Sequence, residues 1–258
     1  MTADATFLHA PEPLVPAGVV TDLIEETTYL SRALGQPFVR TPGASGVLNR
    51  VAPSTVWVHS KVEVAALAAE VVGCDPSPEV MLPEHAGDLL SELTRRGWQS
   101  DEVVDRLRRD LTMPVDRSVT PAGFPWVTIR SARRWDLKGL RQLYIQAFET
   151  EDSADYVPDT LLEVPGLTLF VAEDSSDRQR FIGTCGVRLR HEGTLIFGLA
   201  VVPEHRRCGI ATALVSRCLA WAADMGAPYA LADVDDPAPL MWKRLGFVST
   251  SRWRRCVR

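Results

Sequence analysis

No stretch of this 258-residue chain approaches the run of ~18 uninterrupted apolar residues that a membrane-spanning helix needs. Its first residues, Met1-Thr2-Ala3-Asp4-Ala5, lack the basic and then apolar segments of a secretory signal. A cytoplasmic protein with no membrane partner is therefore expected. Cysteine is sparse: Cys74, Cys185, Cys208, Cys218 and Cys256 are odd in number and show no C-x-x-C spacing. That argues against a disulfide framework and against a zinc site, and reduced, mostly buried thiols are expected. His59, His85, His191 and His205 have no paired ligand spacing, so no metal is assigned. Lysine is nearly missing, with 3 of the 28 basic residues against 25 arginines, and the formal net charge of -5 leaves no general basis for nucleic-acid binding. Familiar glycine signatures are missing too. Gly209 opens neither G-x-G-x-x-G nor a P-loop, and Gly43-Ala44-Ser45-Gly46 does not make a nucleophile elbow.

What is present is ordinary for a folded soluble chain: 46 % of residues are apolar and 24 % charged. The length suits two small domains or one large one. Residues 1–19, with Pro11, Pro13 and Pro16, read as a loosely held tail. A small α/β domain is expected over 20–112, with helices at Thr21–Leu34, Val62–Val72 and His85–Arg96. The stretch 41–46 reads as a loop leading into an apolar run at Val47–Ala52, and Glu79–Leu82 as a strand. Three prolines and a glycine mark a linker at 113–125. Over 126–258 the pattern predicts strand 126–131, helix 135–148 opened by Asp136, and strands 168–172, 181–189 and 194–202. Helix 209–225, strand 229–234, helix 237–245 and a last strand from Phe247 complete it. A meander of strands followed by alternation with helices implies a mixed α/β or α+β sheet.

The informative segment is Val201-Val202-Pro203-Glu204-His205-Arg206-Arg207-Cys208-Gly209-Ile210-Ala211-Thr212. A buried strand stops at a proline, turns through polar residues and enters a helix at a glycine. The first helical turn then offers unpaired backbone N–H groups beside the positive end of the helix dipole, which suits an anion such as a pyrophosphate. Gly209 and Ala211 allow close approach to the backbone, and Arg206 and Arg207 add positive charge. Taken alone, this pattern also fits plain α/β structure.

The run Arg206-Arg207-Cys208-Gly209-Ile210-Ala211 matches [QR]-x-x-G-x-[GA], and Val-x-Pro-Glu precedes it at Val201–Glu204. A second signature, roughly N-x-x-A-x-x-L-Y-x-K-x-G-F, is echoed by Asp235-Asp236-Pro237-Ala238-Pro239-Leu240-Met241-Trp242-Lys243-Arg244-Leu245-Gly246-Phe247. In these motifs the second half resembles the GNAT superfamily of N-acetyltransferases. The resemblance implies a GNAT-type mixed sheet flanked by helices, with acetyl-CoA as cosubstrate. Its cofactor site would comprise Leu199, Ala200, Val201, Arg206, Arg207, Cys208, Gly209, Ile210, Ala211, Thr212 and Trp242. Backbone at Leu199–Val201 would pair with the pantetheine arm as an added strand does.

The same resemblance places the acceptor near Glu149-Thr150-Glu151-Asp152-Ser153-Ala154-Asp155-Tyr156, whose carboxylates suit a cationic amine, with Glu151 or Asp152 as base or relay. A solvated loop is the plain alternative. Trp242 stands where many members of the superfamily carry a tyrosine that protonates the departing thiolate, and an indole N–H is a donor only. Residues 61–98 repeat 213–247 in outline, ending in Arg95-Arg96-Gly97-Trp98, but without the cofactor loop. The first half thus resembles the degenerate half of a tandem GNAT protein, expected to border the acceptor cleft or join two copies in a homodimer. An unrelated small domain would share that outline. The expected activity is transfer of acetyl to a small amine by direct attack in a ternary complex. A CoA-binding regulatory module and a protein N-terminal or lysine acetyltransferase are the alternatives. The arginine-rich stretch 251–258 is read as an edge strand with solvated arginines.

Overall fold

The computed structural model describes residues 38–41, 44–47, 55–58, 79–117, 121, 124–175, 177–190, 193–235 and 239–258. The helices expected at 21–34 and 62–72 lie outside these residues, as does the run 47–52 beyond Val47. In chain order the strands are β1 (Phe38–Thr41), β2 (Ala44–Val47), β3 (Thr55–Val58), β4 (Glu79–Pro83), β5 (Gln99–Asp110), β6 (Val127–Ser131), β7 (Leu167–Asp174), β8 (Asp177–Leu189), β9 (Thr194–Val201), β10 (Tyr229–Val234) and β11 (Val248–Val257). The helices are α1 (Gly87–Arg95), α2 (Leu137–Phe148), α3 (Ile210–Asp224) and α4 (Pro239–Arg244). Two compact units separate, one of Met1–Val103 with Arg252–Arg258 and the other of Val104–Ser251. The segment 113–125, expected to link domains, falls within the second.

In the second unit β6, β7, β8 and β9 form an antiparallel meander, β9 and β10 run parallel, and β10 pairs antiparallel with residues 105–110 of β5. Helix α2 presents Leu140, Leu143, Tyr144 and Ala147 to the core, spaced at three and four residues, so one stripe is buried. Helix α3 is apolar over most of its surface, and Ile210, Leu214, Val215, Cys218, Leu219 and Ala222 are buried in that same core. Each fully buried leucine contributes about 1.5–3 kcal/mol. Asp136 does open α2, as its position predicted, after a 3-10 turn at Arg134–Asp136. Its Oδ2 accepts the Arg133 N–H at 2.7 Å.

In the first unit β1 and β2 pair as an antiparallel hairpin, Thr41 opposite Ala44, so the loop read at 41–46 is corrected. The Pro-Gly pair suggested a loop, yet strand residues flank it directly. Strand β2 runs antiparallel to β3, β3 parallel to β4, and β4 antiparallel to 253–256 of β11. The edge-strand reading of 251–258 is also corrected, since here β11 lies between β4 and the start of β5. Two of its arginines are paired: Arg252 with Glu84 at 2.9 Å, and Arg255 with Asp101 at 2.9 Å and Glu102 at 2.8 Å. Trp253 is buried, edge-on to Trp57 with ring centres 4.9 Å apart.

The two units end their short helices alike. After α1 the Gly97 N–H bonds the Thr94 carbonyl at 3.0 Å and the Trp98 N–H the Leu93 carbonyl at 3.1 Å, with φ +89° at Gly97. After α4 the Gly246 N–H bonds Lys243 and the Phe247 N–H bonds Trp242, both at 3.0 Å, with φ +82° at Gly246. Both are Schellman turns, whose left-handed residue favours glycine. Leu93 therefore stands in the first unit where Trp242 stands in the second.

Candidate active site

Strand β9 has two neighbours at its start and one at its end. Thr194, Leu195 and Ile196 pair with Ala230, Leu231 and Ala232 of β10, and the pairing stops there. On the other side β9 stays with β8 through Val201, but with a shift of register. Between the pairs Gly186↔Phe197 and Thr184↔Ala200, β8 advances two residues and β9 three. One extra residue on one strand is a β-bulge, which turns the strand away from its line. Gly198 sits in that bulge with φ +59°. Beyond it, Leu199, Ala200 and Val201 have no register with β10, which leaves one backbone edge open to an extended ligand.

Chain that leaves this edge enters the turn before α3. Arg207 has φ +66° and Gly209, the N-cap of α3, φ +77°. Ala213 is the first to bond inside the helix, its N–H to the Gly209 carbonyl at 3.0 Å. The N–H groups from Gly209 to Thr212 consequently lack intrahelical acceptors, next to the positive end of a 15-residue helix. This cradle fits a diphosphate: backbone donors, a glycine entrance, and the exposed side chain of Arg207. Cys208 is half-buried, its Sγ 3.4 Å from the Arg206 carbonyl. Ile210 is buried beneath the turn.

Arg206 plays another part besides its charge. Its Nε donates to the Val201 carbonyl at 3.1 Å and its Nη2 to the Ala147 carbonyl at 2.6 Å. The guanidinium thereby ties the end of β9 to the C-terminal turn of α2, where carbonyls and dipole favour a cation. Gly183 on β8 is what lets α3 come so close. A Cβ there would lie 3.0 Å from Leu214 Cδ1, 3.1 Å from Ile210 Cγ2 and 3.2 Å from the Ala200 carbonyl oxygen.

Helix α2 ends at Phe148, with Glu149 left-handed at φ +58°, and a 3-10 turn follows at Glu151–Tyr156. Glu151 and Asp152 are both exposed on that turn. The structure places an aromatic group beside them that the sequence did not single out. Tyr144, Phe148 and Tyr156 lie together, with ring centres 5.7 Å, 6.2 Å and 6.4 Å apart. Phe148 and Tyr156 are each about half exposed. The Tyr144 hydroxyl is buried and donates to the Gly198 carbonyl at 2.9 Å. Burial pushes its pKa up, with Cys185 and Tyr156 adding to the shift, so it acts as a donor.

Trp242 is 4 % exposed and stands edge-on to Phe247, centres 5.0 Å apart. Its Nε1 is buried without an acceptor among the described residues. A buried donor left unpaired costs about 1–3 kcal/mol, so such a group is a place for a ligand acceptor. Among the described residues no group of three His, Cys, Asp or Glu side chains could hold a metal ion, and no helix is long and apolar enough to cross a membrane.

Sequence reasoning missed Tyr144, Gly183 and Gly198. For the last there was a signal, a lone glycine inside an apolar strand, which often marks a bulge.

The profile of the Acetyltransferase (GNAT) family matches residues 137–247. No curated protein matches the chain. Among solved structures, a GCN5-related N-acetyltransferase from Kribbella flavida is similar at TM-score 0.66 and 16 % identity, over 94 % of this chain and 95 % of that one. One from Sphaerobacter thermophilus gives 0.62 and 18 %, over 83 % and 75 %. A tandem GNAT protein from the clavulanic acid biosynthesis pathway gives 0.60 and 15 %, over 95 % and 96 %. At these identities the likeness concerns the fold alone. The open edge of β9, the cradle at α3 and the matched residues converge: residues 137–247 are an acetyltransferase domain of the GNAT family, whose chemistry is acetyl transfer from acetyl-CoA.

Proposed function

We propose that the second unit transfers acetyl from acetyl-CoA to the primary amine of a small cationic metabolite, by direct attack in a ternary complex, as a cytoplasmic enzyme. The carrying observation is the continuity of the open β9 edge, Leu199–Val201, with the cradle at Gly209–Thr212. On this reading the pantetheine arm pairs with the edge, and the diphosphate takes the first-turn N–H groups with Arg207 beside it. Cys208 and Ile210 shape the turn from its two sides, Arg206 holds it in place, and Trp242 lies against the pantetheine.

A cationic acceptor is supported by exposed Phe148 and Tyr156 beside the exposed carboxylates of Glu149, Glu151, Asp152 and Asp155. Aromatic faces and carboxylates both attract an ammonium group. An alkyl ammonium of pKa ~10.4 must lose its proton before attack, at a cost of roughly 4–5 kcal/mol at pH 7. Glu151 or Asp152 takes that proton, directly or through water. The domain division we propose is one of descent, a degenerate GNAT-like half at 20–112 and a GNAT domain at 126–258. Two copies of the chain would associate through the first half.

A second reading, CoA binding without turnover, draws on Trp242 in place of an acidic tyrosine. Thiol release from acetyl-CoA, measured with polyamines, amino acids, aminoglycosides and basic peptides, separates the two. Release that depends on one class of small amine establishes the first reading. Release with peptides alone moves the acceptor to proteins. Tight acetyl-CoA binding with no release on any acceptor leaves the second.

A further inference from the structure

Behind the bulge lies the buried hydroxyl of Tyr144, carried by helix α2. Its bond to the Gly198 carbonyl spans 54 residues of sequence and lands two residues past Ile196, the last residue of β9 paired with β10. Gly198 has no room for any other residue: a Cβ there would lie 2.3 Å from the Tyr144 oxygen. The ring is 6 % exposed and packed in the core, so the hydroxyl is a fixed point. On the far side of the bulge, Cys185 Sγ lies 3.9 Å from the Phe197 carbonyl.

We infer that Tyr144 is a positioning residue for acetyl transfer, setting through the Gly198 carbonyl where the backbone of Leu199–Val201 meets the acyl-pantetheine. This rests on the acetyltransferase reading above. A bulge can relax by sliding its extra residue along the strand, which would pair β9 with β8 in another register and turn its side chains over. A hydroxyl anchored in the core holds the extra residue at Gly198. The diphosphate cradle begins at Arg207, well past the bulge, so the two ends of the cofactor depend on different supports.

Tyr144→Phe keeps the ring and removes the anchor. Amide hydrogen exchange over 197–200 is expected to quicken tenfold or more in the variant. The affinity for CoA should stay within threefold of wild type while kcat for acetyl transfer falls tenfold or more. A merely structural role would instead lower kcat and CoA affinity together with the melting temperature. Gly198→Ala should be strongly impaired, and adding Tyr144→Phe should relieve it in part, because the colliding oxygen is gone. Unchanged exchange and a kcat within twofold in Tyr144→Phe, beside an active wild type, overturn the positioning role alone. A wild type that binds neither acetyl-CoA nor CoA overturns the acetyltransferase reading and this role with it.

Discussion

Arg130 grips Asp136 with two bonds, Nη1 to Oδ2 at 2.7 Å and Nη2 to Oδ1 at 3.0 Å, while its Nη2 also reaches Glu173 at 2.5 Å. Burial alone would raise the Asp136 pKa, but the Arg130 bonds and the Arg133 N–H outweigh it and hold the carboxyl below its ordinary range. A depressed folded pKa means that the stability it contributes is complete above the unfolded value of about 3.9 and is lost as pH falls toward the folded one. Asp136→Asn should therefore lower stability by roughly 1–3 kcal/mol at pH 7, read by urea unfolding. The gap from wild type should begin to narrow as pH falls through about 4, where the unfolded chain takes up a proton that the folded carboxyl still resists, and close only at lower pH, once the folded carboxyl is protonated too. A gap that stayed the same from pH 7 to the acid-unfolding midpoint would contradict this.

Gly183→Ala forces a methyl against Ile210, Leu214 and the Ala200 carbonyl. Overpacking of this kind costs about 1–3 kcal/mol. Ile210 opens α3, so a shift forced there carries the first turn with it, and CoA affinity should fall severalfold as stability drops. Calorimetry with CoA checks it, and wild-type affinity in a destabilised variant would place the strain elsewhere.

Trp242→Tyr supplies the acid that the indole lacks. A thiolate leaving in place of a thiol of pKa ~8.5 costs about 2 kcal/mol at pH 7, which bounds the gain in turnover at roughly 30-fold. Trp242→Phe removes the unpaired N–H and should leave the melting temperature nearly unchanged while weakening acetyl-CoA binding. Equal binding by both variants and wild type would remove Trp242 from the cofactor site.

Neutralising the acidic turn with Glu151→Gln and Asp152→Asn together should raise the acceptor KM or lower kcat at least tenfold, with acetyl-CoA affinity unchanged. Kinetics equal to wild type would make the turn a solvated loop.

A fragment of residues 126–258 lacks residues 105–110, the partner of β10, and with them the buried pair of Arg106 to Asp233 at 2.6 Å. Such a fragment should aggregate or fail to bind CoA, whereas one starting at residue 99 should bind. Circular dichroism and CoA titration distinguish them. A stable, CoA-binding 126–258 fragment would show that β10 tolerates an open edge.

Much of the second half was legible because each signal there was strong and local. Apolar spacing gave α2 and α3, His191-Glu192-Gly193 separated β8 from β9, and the two motifs framed α3 and β10. Strand β5 was invisible for a physical reason. Its sequence, QSDEVVDRLRRD, alternates charges instead of apolar residues. Two of those charges meet their partners far along the chain, Arg106 at Asp233 and Asp101 at Arg255. The same pairing hid the true place of the C-terminal arginines, which look solvated until their carboxylates are found. In the site, the cofactor turn could be read because a helix N-terminus is a local device. Tyr144 could not, because its importance lies wholly in one bond to a bulge 54 residues on.

The first compact unit contains Arg252–Arg258, and the second begins at Val104. A ribosome adding ~5–20 residues per second must make the entire second unit before it supplies the strand residues that pair with β4. The unit begun first is thus finished last. Until Trp253 arrives, the β4 edge waits unpaired on the nascent chain, open to other strands.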